Sequence, residues 1–97
     1  MEGNDPARAH ATVHGRVQGV SFRYFVIESV RGLGLSGWVR NRFNGTVEVI
    51  AEGERNNLDI LIQNLHKGPI SAQVMKVDIQ WEEPSGDFKS FRIRMTR

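Results

Sequence analysis

The sequence predicts an α+β domain in which two helices cover one face of an antiparallel sheet. Two segments with apolar residues at helical spacing lie between shorter segments in which apolar and polar residues alternate. Turns containing glycine separate these segments, and their order is β-α-β-β-α-β followed by a short terminal strand. This order is the split βαβ arrangement of a ferredoxin-like sandwich.

A strand and a helix are predicted at the start of the domain. Residues 10–14 alternate between apolar and polar side chains, as in a half-buried strand. Apolar residues then recur every three or four positions over 22–33, which predicts an amphipathic helix. Ser21 is well placed to cap the start of this helix, and Gly32 and Gly34 are expected to end it.

A hairpin, a second helix and the last strands follow. Asn44-Gly45 between two extended segments is the strongest hairpin signal in the chain. Apolar residues at i, i+3, i+4 and i+7 over 58–65 predict the second helix, with Asn56 or Asn57 as its cap. The remaining strands are predicted over residues 35–42, 46–52, 77–81 and 91–95.

The composition is that of one globular domain and excludes several functional classes. The 97 residues contain no cysteine, which rules out a disulfide scaffold, a thiolate nucleophile and a cysteine metal site. A net charge of +2 is too small to indicate a nucleic-acid-binding protein. No segment approaches the ~20 apolar residues of a membrane span. Residues 1–9 are polar and are expected to form a flexible lead-in to a single domain over 10–97.

The segment Gly15-Arg16-Val17-Gln18-Gly19-Val20-Ser21-Phe22-Arg23 lies between the first strand and the first helix. In such a turn, consecutive backbone N–H groups can curve around a phosphate-sized anion, and the start of a helix favours negative charge. The guanidinium of Arg23 could then contact two oxygens of the anion. Alone, the glycine turn would be a tight connection and Arg23 a surface charge. Ser21 has no partner histidine in this motif, so a capping role is favoured over a nucleophilic one.

Together with Gly37-Trp38-Val39-Arg40-Asn41, this segment resembles the signature of the acylphosphatase family. The resemblance runs from about residue 10 to the C-terminus. It includes Gly45-Thr46-Val47-Glu48, Ala51-Glu52-Gly53, Lys67-Gly68-Pro69 and Phe91-Arg92-Ile93-Arg94. It implies a monomeric, cytoplasmic enzyme that hydrolyses the carboxyl–phosphate bond of acyl phosphates without a metal or organic cofactor.

The resemblance also implies roles for individual residues. Arg23 would hold the phosphoryl group and Asn41 would orient the attacking water. Backbone N–H groups would come from the loop residues Arg16, Val17, Gln18, Gly19 and Val20, with support from Gly15, Ser21 and Thr46. Because the leaving carboxylate needs no strong acid, the main tasks are to neutralise the phosphoryl oxygens and to place the water. Inorganic phosphate, the product, is expected to inhibit.

One position departs from the family pattern, and the histidines need an interpretation. Arg42 stands where animal members often have threonine after the asparagine, and it either adds positive charge near the site or faces solvent. His10, His14 and His66 lack metal-ligand spacing and are expected to lack carboxylate partners, so they are interpreted as ordinary strand or surface residues.

Two other functions fit the same fold. One is a phosphate-binding or carbamoyl-phosphate-handling module, like the acylphosphatase-like domain of larger hydrogenase-maturation proteins, although no further domain is evident here. The other is an RNA-binding sheet with exposed aromatic residues. The second is disfavoured, because Thr46-Val47-Glu48-Val49 stands where the aromatic RNA-binding motif would lie and because Glu48 and Glu52 would repel a phosphate backbone. The implied activity on a small molecule requires neither nucleic acid nor a membrane, and neither is expected as a partner.

Overall fold

Seven elements make up the computed structural model, which describes residues 3–97. In chain order they are β1 (Pro6–Arg16), α1 (Phe22–Val30), β2 (Ser36–Asn41), β3 (Val47–Glu54), α2 (Arg55–Lys67), β4 (Gln73–Glu82) and β5 (Phe91–Ile93). The five strands form one sheet in the order β4-β1-β3-β2-β5. The predicted α+β, ferredoxin-like fold is confirmed.

Strand β5 makes the sheet mixed, so the expectation of a wholly antiparallel sheet is wrong for this strand. The other neighbouring strands pair antiparallel, whereas β5 runs parallel to β2, with Trp38 opposite Arg92. The reason is the path of residues 83–90, which connect the edge strand β4 to the opposite edge of the sheet. A connection between opposite edges can deliver the next strand in the parallel sense, which a tight hairpin cannot.

Both helices pack on the same face of the sheet, where small residues of the central strands let them approach. Ala7, Ala9, Ala11 and Val13 of β1 are all buried there, beside Val47, Val49 and Ala51 of β3. From the helices, the buried side chains are Phe22, Val26, Val30, Leu58, Leu61 and Leu65. This single core holds α1 and α2 against the strands that lead into and out of them.

The ends of several elements differ from the predicted ones, including that of β4, which begins at Gln73 rather than at residue 77. Strand β1 begins at Pro6 rather than at residue 10, because residues 6–9 pair with the ends of β3 and β4. Met1 and Glu2, the first residues of the predicted lead-in, lie outside the described residues. Helix α1 ends at Val30, before the two glycines, and α2 begins at Arg55 without a side-chain cap. The predicted caps at Asn56 and Asn57 are therefore wrong, since both already lie within the helix.

The opposite face of the sheet, here called the open face, carries charged side chains in place of helices. Glu52 of β3 is only 5% exposed on this face. Its carboxylate accepts hydrogen bonds from the backbone N–H of Ser85 at 2.8 Å, from the Ser85 hydroxyl at 3.0 Å and from the N–H of Gly86 at 3.0 Å. Arg8 lies 3.5 Å from the same carboxylate. Glu52 thus fastens the 83–90 segment across the middle of the sheet.

Replacing Glu52 by alanine is expected to lower the free energy of unfolding by about 2–3 kcal/mol, because the charge-assisted hydrogen bonds to a buried carboxylate are lost. Chemical denaturation measures this change. Glu83→Ala, an exposed position in the same segment, is the matched control and should change stability by less than about 0.5 kcal/mol. Equal effects of the two substitutions would contradict the anchoring role of Glu52.

Candidate active site

The pairing of β3 with both of its neighbours brings the C-terminal ends of β1 and β2 to the same end of the sheet. Val47 pairs with Val13 of β1 on one side and with Asn41 of β2 on the other. Adjacent strands lie about 4.8 Å apart, so the backbones at Val13 and Asn41 are about 10 Å apart. The loop that follows β1 and the side chain of Asn41 therefore share one corner of the molecule.

A bulge turns the chain out of β1 and into the loop. The register between β1 and β4 shifts between His14 and Gly15, and Gly15 has φ +126°. A Cβ atom at Gly15 would lie 2.2 Å from the carbonyl oxygen of Gln73, so only glycine fits. Gly15 supports the loop through this close approach, and it does not face the site.

The start of α1 is left without a side-chain cap, which contradicts the capping role predicted for Ser21. Ser21 adopts a left-handed conformation, with φ 64° and ψ 26°, and its hydroxyl makes no cap hydrogen bond. A capping serine needs an extended backbone to turn its oxygen over the first amides of the helix. Here the carbonyl of Ser21 accepts from Phe25 N–H at 3.0 Å, and the first turn holds no acidic residue. The positive end of the helix is thus not claimed by an anionic side chain.

Arg23 and Asn41 line one pocket of about 220 Å³ at this corner. The other lining residues are Val17, Gly19, Ser21, Phe22 and Tyr24. Arg23 and Asn41 are both half-buried. The pocket therefore combines a guanidinium, a carboxamide, a glycine-containing loop and an uncapped helix start, which is a set of groups suited to an anion the size of phosphate.

Not every residue predicted for the site lines this pocket. Arg16 is exposed at the end of β1, and Val20 packs against the core. Thr46 lies in the hairpin between β2 and β3, and Gln18 contacts that hairpin from the loop. Tyr24, with 68% of its surface exposed at the rim, was not predicted. Its position one residue after Arg23, in the exposed first turn of α1, is the signal that could have indicated it.

Thr46 and Gln18 hold the hairpin and the loop together through hydrogen bonds. The hydroxyl and the backbone N–H of Thr46 both donate to the Asn44 side-chain oxygen, at 2.7 and 3.1 Å. The side-chain amide of Gln18 donates to the carbonyl oxygens of Arg42 at 2.6 Å and Thr46 at 2.9 Å. Only a backbone role was predicted for Gln18, because nothing in a single sequence shows which carbonyls a loop amide will reach.

Glu48 forms ion pairs with the basic residues on either side of Asn41. Its carboxylate lies 2.7 Å from Arg40 Nε and 3.1 Å from Arg42 Nη1, and His10 Nε2 is 2.7 Å away. Burial tends to raise the pKa of Glu48, but the hydrogen bonds from His10, Arg40 and Arg42 outweigh it and hold that pKa below the usual value. Arg42 is therefore ion-paired with Glu48, and 40% of its side chain is exposed.

Two of the histidines do have carboxylate neighbours, so that part of their interpretation is wrong. Besides Glu48, His10 approaches Glu82 at 3.6 Å, and His14 lies 2.9 Å from Asp78. These contacts join strands far apart in sequence. Within residues 3–97, no group of three or more histidine and acidic side chains could hold a metal ion. No helix in that part of the chain is long and apolar enough to cross a membrane.

The fold is that of a ferredoxin-like domain with a pocket suited to an anion, and comparison with known proteins gives its family. The acylphosphatase family model matches residues 9–93. The chain is 48% identical over 87 residues to an acylphosphatase of Moorella thermoacetica, covering 90% of this chain and 92% of that protein. It is also 48% identical over 79 residues to one from Thermococcus kodakarensis, covering 81% and 87%. The chain therefore belongs to the acylphosphatase family, as the resemblance predicted.

Solved structures agree with this assignment. The crystal structure of acylphosphatase from Bacillus subtilis superposes with a TM-score of 0.87 at 34% identity, covering 91% of this chain and 98% of that one. An acylphosphatase structure from Coxiella burnetii gives 0.86 at 40% identity, covering 93% and 94%. Full-length HypF in a phosphate- and nucleotide-bound form gives 0.86 at 23% identity over 12% of its length, a likeness of fold alone. The predicted enzyme class, a hydrolase of acyl phosphates, is confirmed at the level of the family.

The lowered pKa values of the two buried glutamates lead us to expect that the protein is less stable in acid. The pKa of Glu52, like that of Glu48, is lowered, since hydrogen bonds from Ser85 and Gly86 and the charge of Arg8 outweigh the raising effect of burial. Glutamates of the unfolded chain keep their ordinary pKa of about 4.3 and so bind protons first as the pH falls. The stability that the two carboxylates contribute is complete above that pKa and decreases as the pH falls through the lower folded-state pKa values.

Urea unfolding between about pH 6 and pH 3 tests this expectation, with the midpoint decreasing toward acid. The double variant Glu48→Gln/Glu52→Gln should show a shallower decrease of the midpoint. The control is the double variant Glu54→Gln/Glu83→Gln, which changes two exposed positions and should leave the slope of the midpoint against pH unchanged. Parallel pH profiles for all three proteins would contradict the assignment of the acid sensitivity to the buried pair.

Proposed function

We propose that the pocket lined by Arg23 and Asn41 is where this acylphosphatase-family protein hydrolyses acyl phosphates. Arg23 and backbone N–H groups of residues 16–20 bind the phosphoryl oxygens, while Asn41 orients the attacking water. The observation that carries the proposal is that the guanidinium and the carboxamide share one pocket with the glycine-containing loop and the uncapped start of α1. Each of these groups can bind or orient a reactant in phosphoryl transfer.

The proposed reaction needs little acid–base chemistry from the protein. The oxygen of a water molecule attacks phosphorus in line with the bond to the acyl oxygen. A new P–O bond forms, the bond to the acyl oxygen breaks, and the carboxylate leaves with the electron pair. The side-chain carbonyl of Asn41 accepts a hydrogen bond from the water, and a phosphoryl oxygen takes the released proton. The products are a carboxylate and inorganic phosphate.

The finer assignments follow from the same proposal. The substrate is a small acyl phosphate bound in the pocket that Tyr24 also lines, and inorganic phosphate binds there as product and inhibitor. The protein acts as a cytoplasmic monomer, independent of nucleic acid and membrane. Support comes from the likeness to stand-alone acylphosphatases over nearly their whole length and from a sequence without cysteines, which suits a reducing compartment.

Substitution of either proposed catalytic residue should abolish most of the activity. Arg23→Ala removes the charge that binds the phosphoryl oxygens, and Asn41→Ala removes the group that places the water. By analogy with lost oxyanion donors, each should lower kcat/KM on the order of 10²–10³-fold. Hydrolysis of benzoyl phosphate, followed by absorbance without added metal, measures the rate. The exposed controls Arg31→Ala and Asn56→Ala should retain it, and wild-type turnover in folded Arg23→Ala and Asn41→Ala proteins would overturn the site.

Inorganic phosphate separates the two proposed roles. It should inhibit competitively and bind to the loop, so Arg23→Ala is expected to raise its Kd by at least about tenfold, the factor that corresponds to 1.4 kcal/mol. Asn41→Ala should leave that Kd within about threefold, because the carboxamide contacts the water and not the phosphate. Titration followed by amide chemical shifts measures both constants. Equal weakening in the two variants would contradict this division of roles.

A further inference from the structure

The side chain of Gln18 bridges the glycine-containing loop and the hairpin between β2 and β3. Both hydrogens of its amide nitrogen are used, one on the carbonyl of Arg42 at 2.6 Å and one on that of Thr46 at 2.9 Å. These carbonyls lie 24 and 28 residues further along the chain. The contact is therefore a tertiary one, between the two segments that supply the pocket.

The two acceptors of Gln18 stand at the base of the hairpin. Arg42 follows Asn41 directly, and Thr46 immediately precedes β3. Arg42 N–H donates to the Thr46 carbonyl at 2.8 Å, which closes the hairpin. Gln18 itself lies between Val17 and Gly19, which both line the pocket. One amide thus connects the loop proposed to bind phosphate with the strand end that carries Asn41.

Val17 and Val20 anchor the loop in the core, whereas Gln18 supplies its side-chain hydrogen bonds to the hairpin. Gly15 and Gly19 both have positive φ values, and a Cβ atom at Gly19 would meet no atom within 4 Å. Sheet pairing fixes the ends of β1 and β2 about 10 Å apart, but it ends at Arg16 and does not fix the loop itself. The side chain of Gln18 is long enough, and has the two N–H donors needed, to reach from this loop to the two carbonyl oxygens of the hairpin.

We propose that Gln18 is a positioning residue that sets the distance between the phosphoryl group on the loop and the water held by Asn41. This inference rests on the proposed function, since it assumes the roles given there to the loop and to Asn41. Misplacing the reacting atoms by about 1 Å can cost on the order of 10²-fold in rate. Gln18 would act through the chemical step and contribute little to phosphate affinity, because phosphate is bound on the loop side alone.

The first test replaces the amide by a side chain of similar length without donors. Gln18→Met is expected to lower kcat for benzoyl phosphate about 10–100-fold and to change the Kd of inorganic phosphate less than about threefold. Gln63→Met, the same substitution at an exposed position on α2, is the control and should leave both unchanged. If Gln18→Met does not fold, as judged by circular dichroism, Gln18→Asn keeps the amide polarity but is too short to bridge, and takes its place with the same expectation.

A double-mutant cycle separates positioning from general support of the fold. In the Asn41→Ala background, Gln18→Met should lower kcat by less than about twofold, because the group that it positions is already gone. An equal loss of kcat in both backgrounds, or a loss of phosphate affinity as large as that of kcat, would overturn the inference. If Arg23→Ala and Asn41→Ala keep wild-type rates, the proposed function itself fails, which is a different outcome from additivity in this cycle.

Discussion

The position of the site depends on the pairing of one residue, Val47, with two neighbouring strands. Because β1 and β2 are both antiparallel to β3, their C-terminal ends lie at the same end of the sheet. The register places Val13 and Asn41 on either side of Val47. A slip of one residue in β2 would turn Asn41 to the opposite face. The buried valines and alanines on the helix face of these strands oppose such a slip, so the core that stabilises the fold also fixes the geometry of the pocket.

Acidic residues stabilise the face of the sheet that carries no helix. Glu48 and Glu52 lie in the central strand β3, with 7% and 5% of their surfaces exposed. Each is surrounded by donors: Glu48 by His10, Arg40 and Arg42, and Glu52 by Arg8 and the turn at Ser85. Buried carboxylates are costly unless they are paired and hydrogen-bonded in this way. The charged network therefore takes the place of a second apolar layer and keeps positive charge close to the hairpin beside Asn41.

Periodicity and turn chemistry in the sequence were sufficient to predict the order of elements. Only the family resemblance indicated Arg23 together with Asn41, and these two residues line one pocket. Alternating segments, two helical stripes and Asn44-Gly45 are local patterns, and the fold follows them. The features that were missed depend on contacts between distant parts of the chain. Pairing with β3 and β4 extends β1 to Pro6, and the crossing of residues 83–90 makes β5 parallel. A tertiary contact likewise brings Gln18 to its two carbonyls. The left-handed backbone of Ser21 was missed for a different reason: it lies in a loop, and residue propensities do not predict loop conformation.

The crossing of the open face by residues 83–90 also bears on what this sheet can present to a ligand. Ferredoxin-like domains that bind single-stranded RNA stack bases on aromatic rings in the middle of that face. Here the ring of Trp38 is covered by two guanidinium groups, from Arg40 at 4.6 Å and Arg94 at 4.9 Å. The turn at Ser85 lies over the neighbouring strand. A nucleobase approaching this surface would meet cations and a loop where a flat platform of rings would be needed.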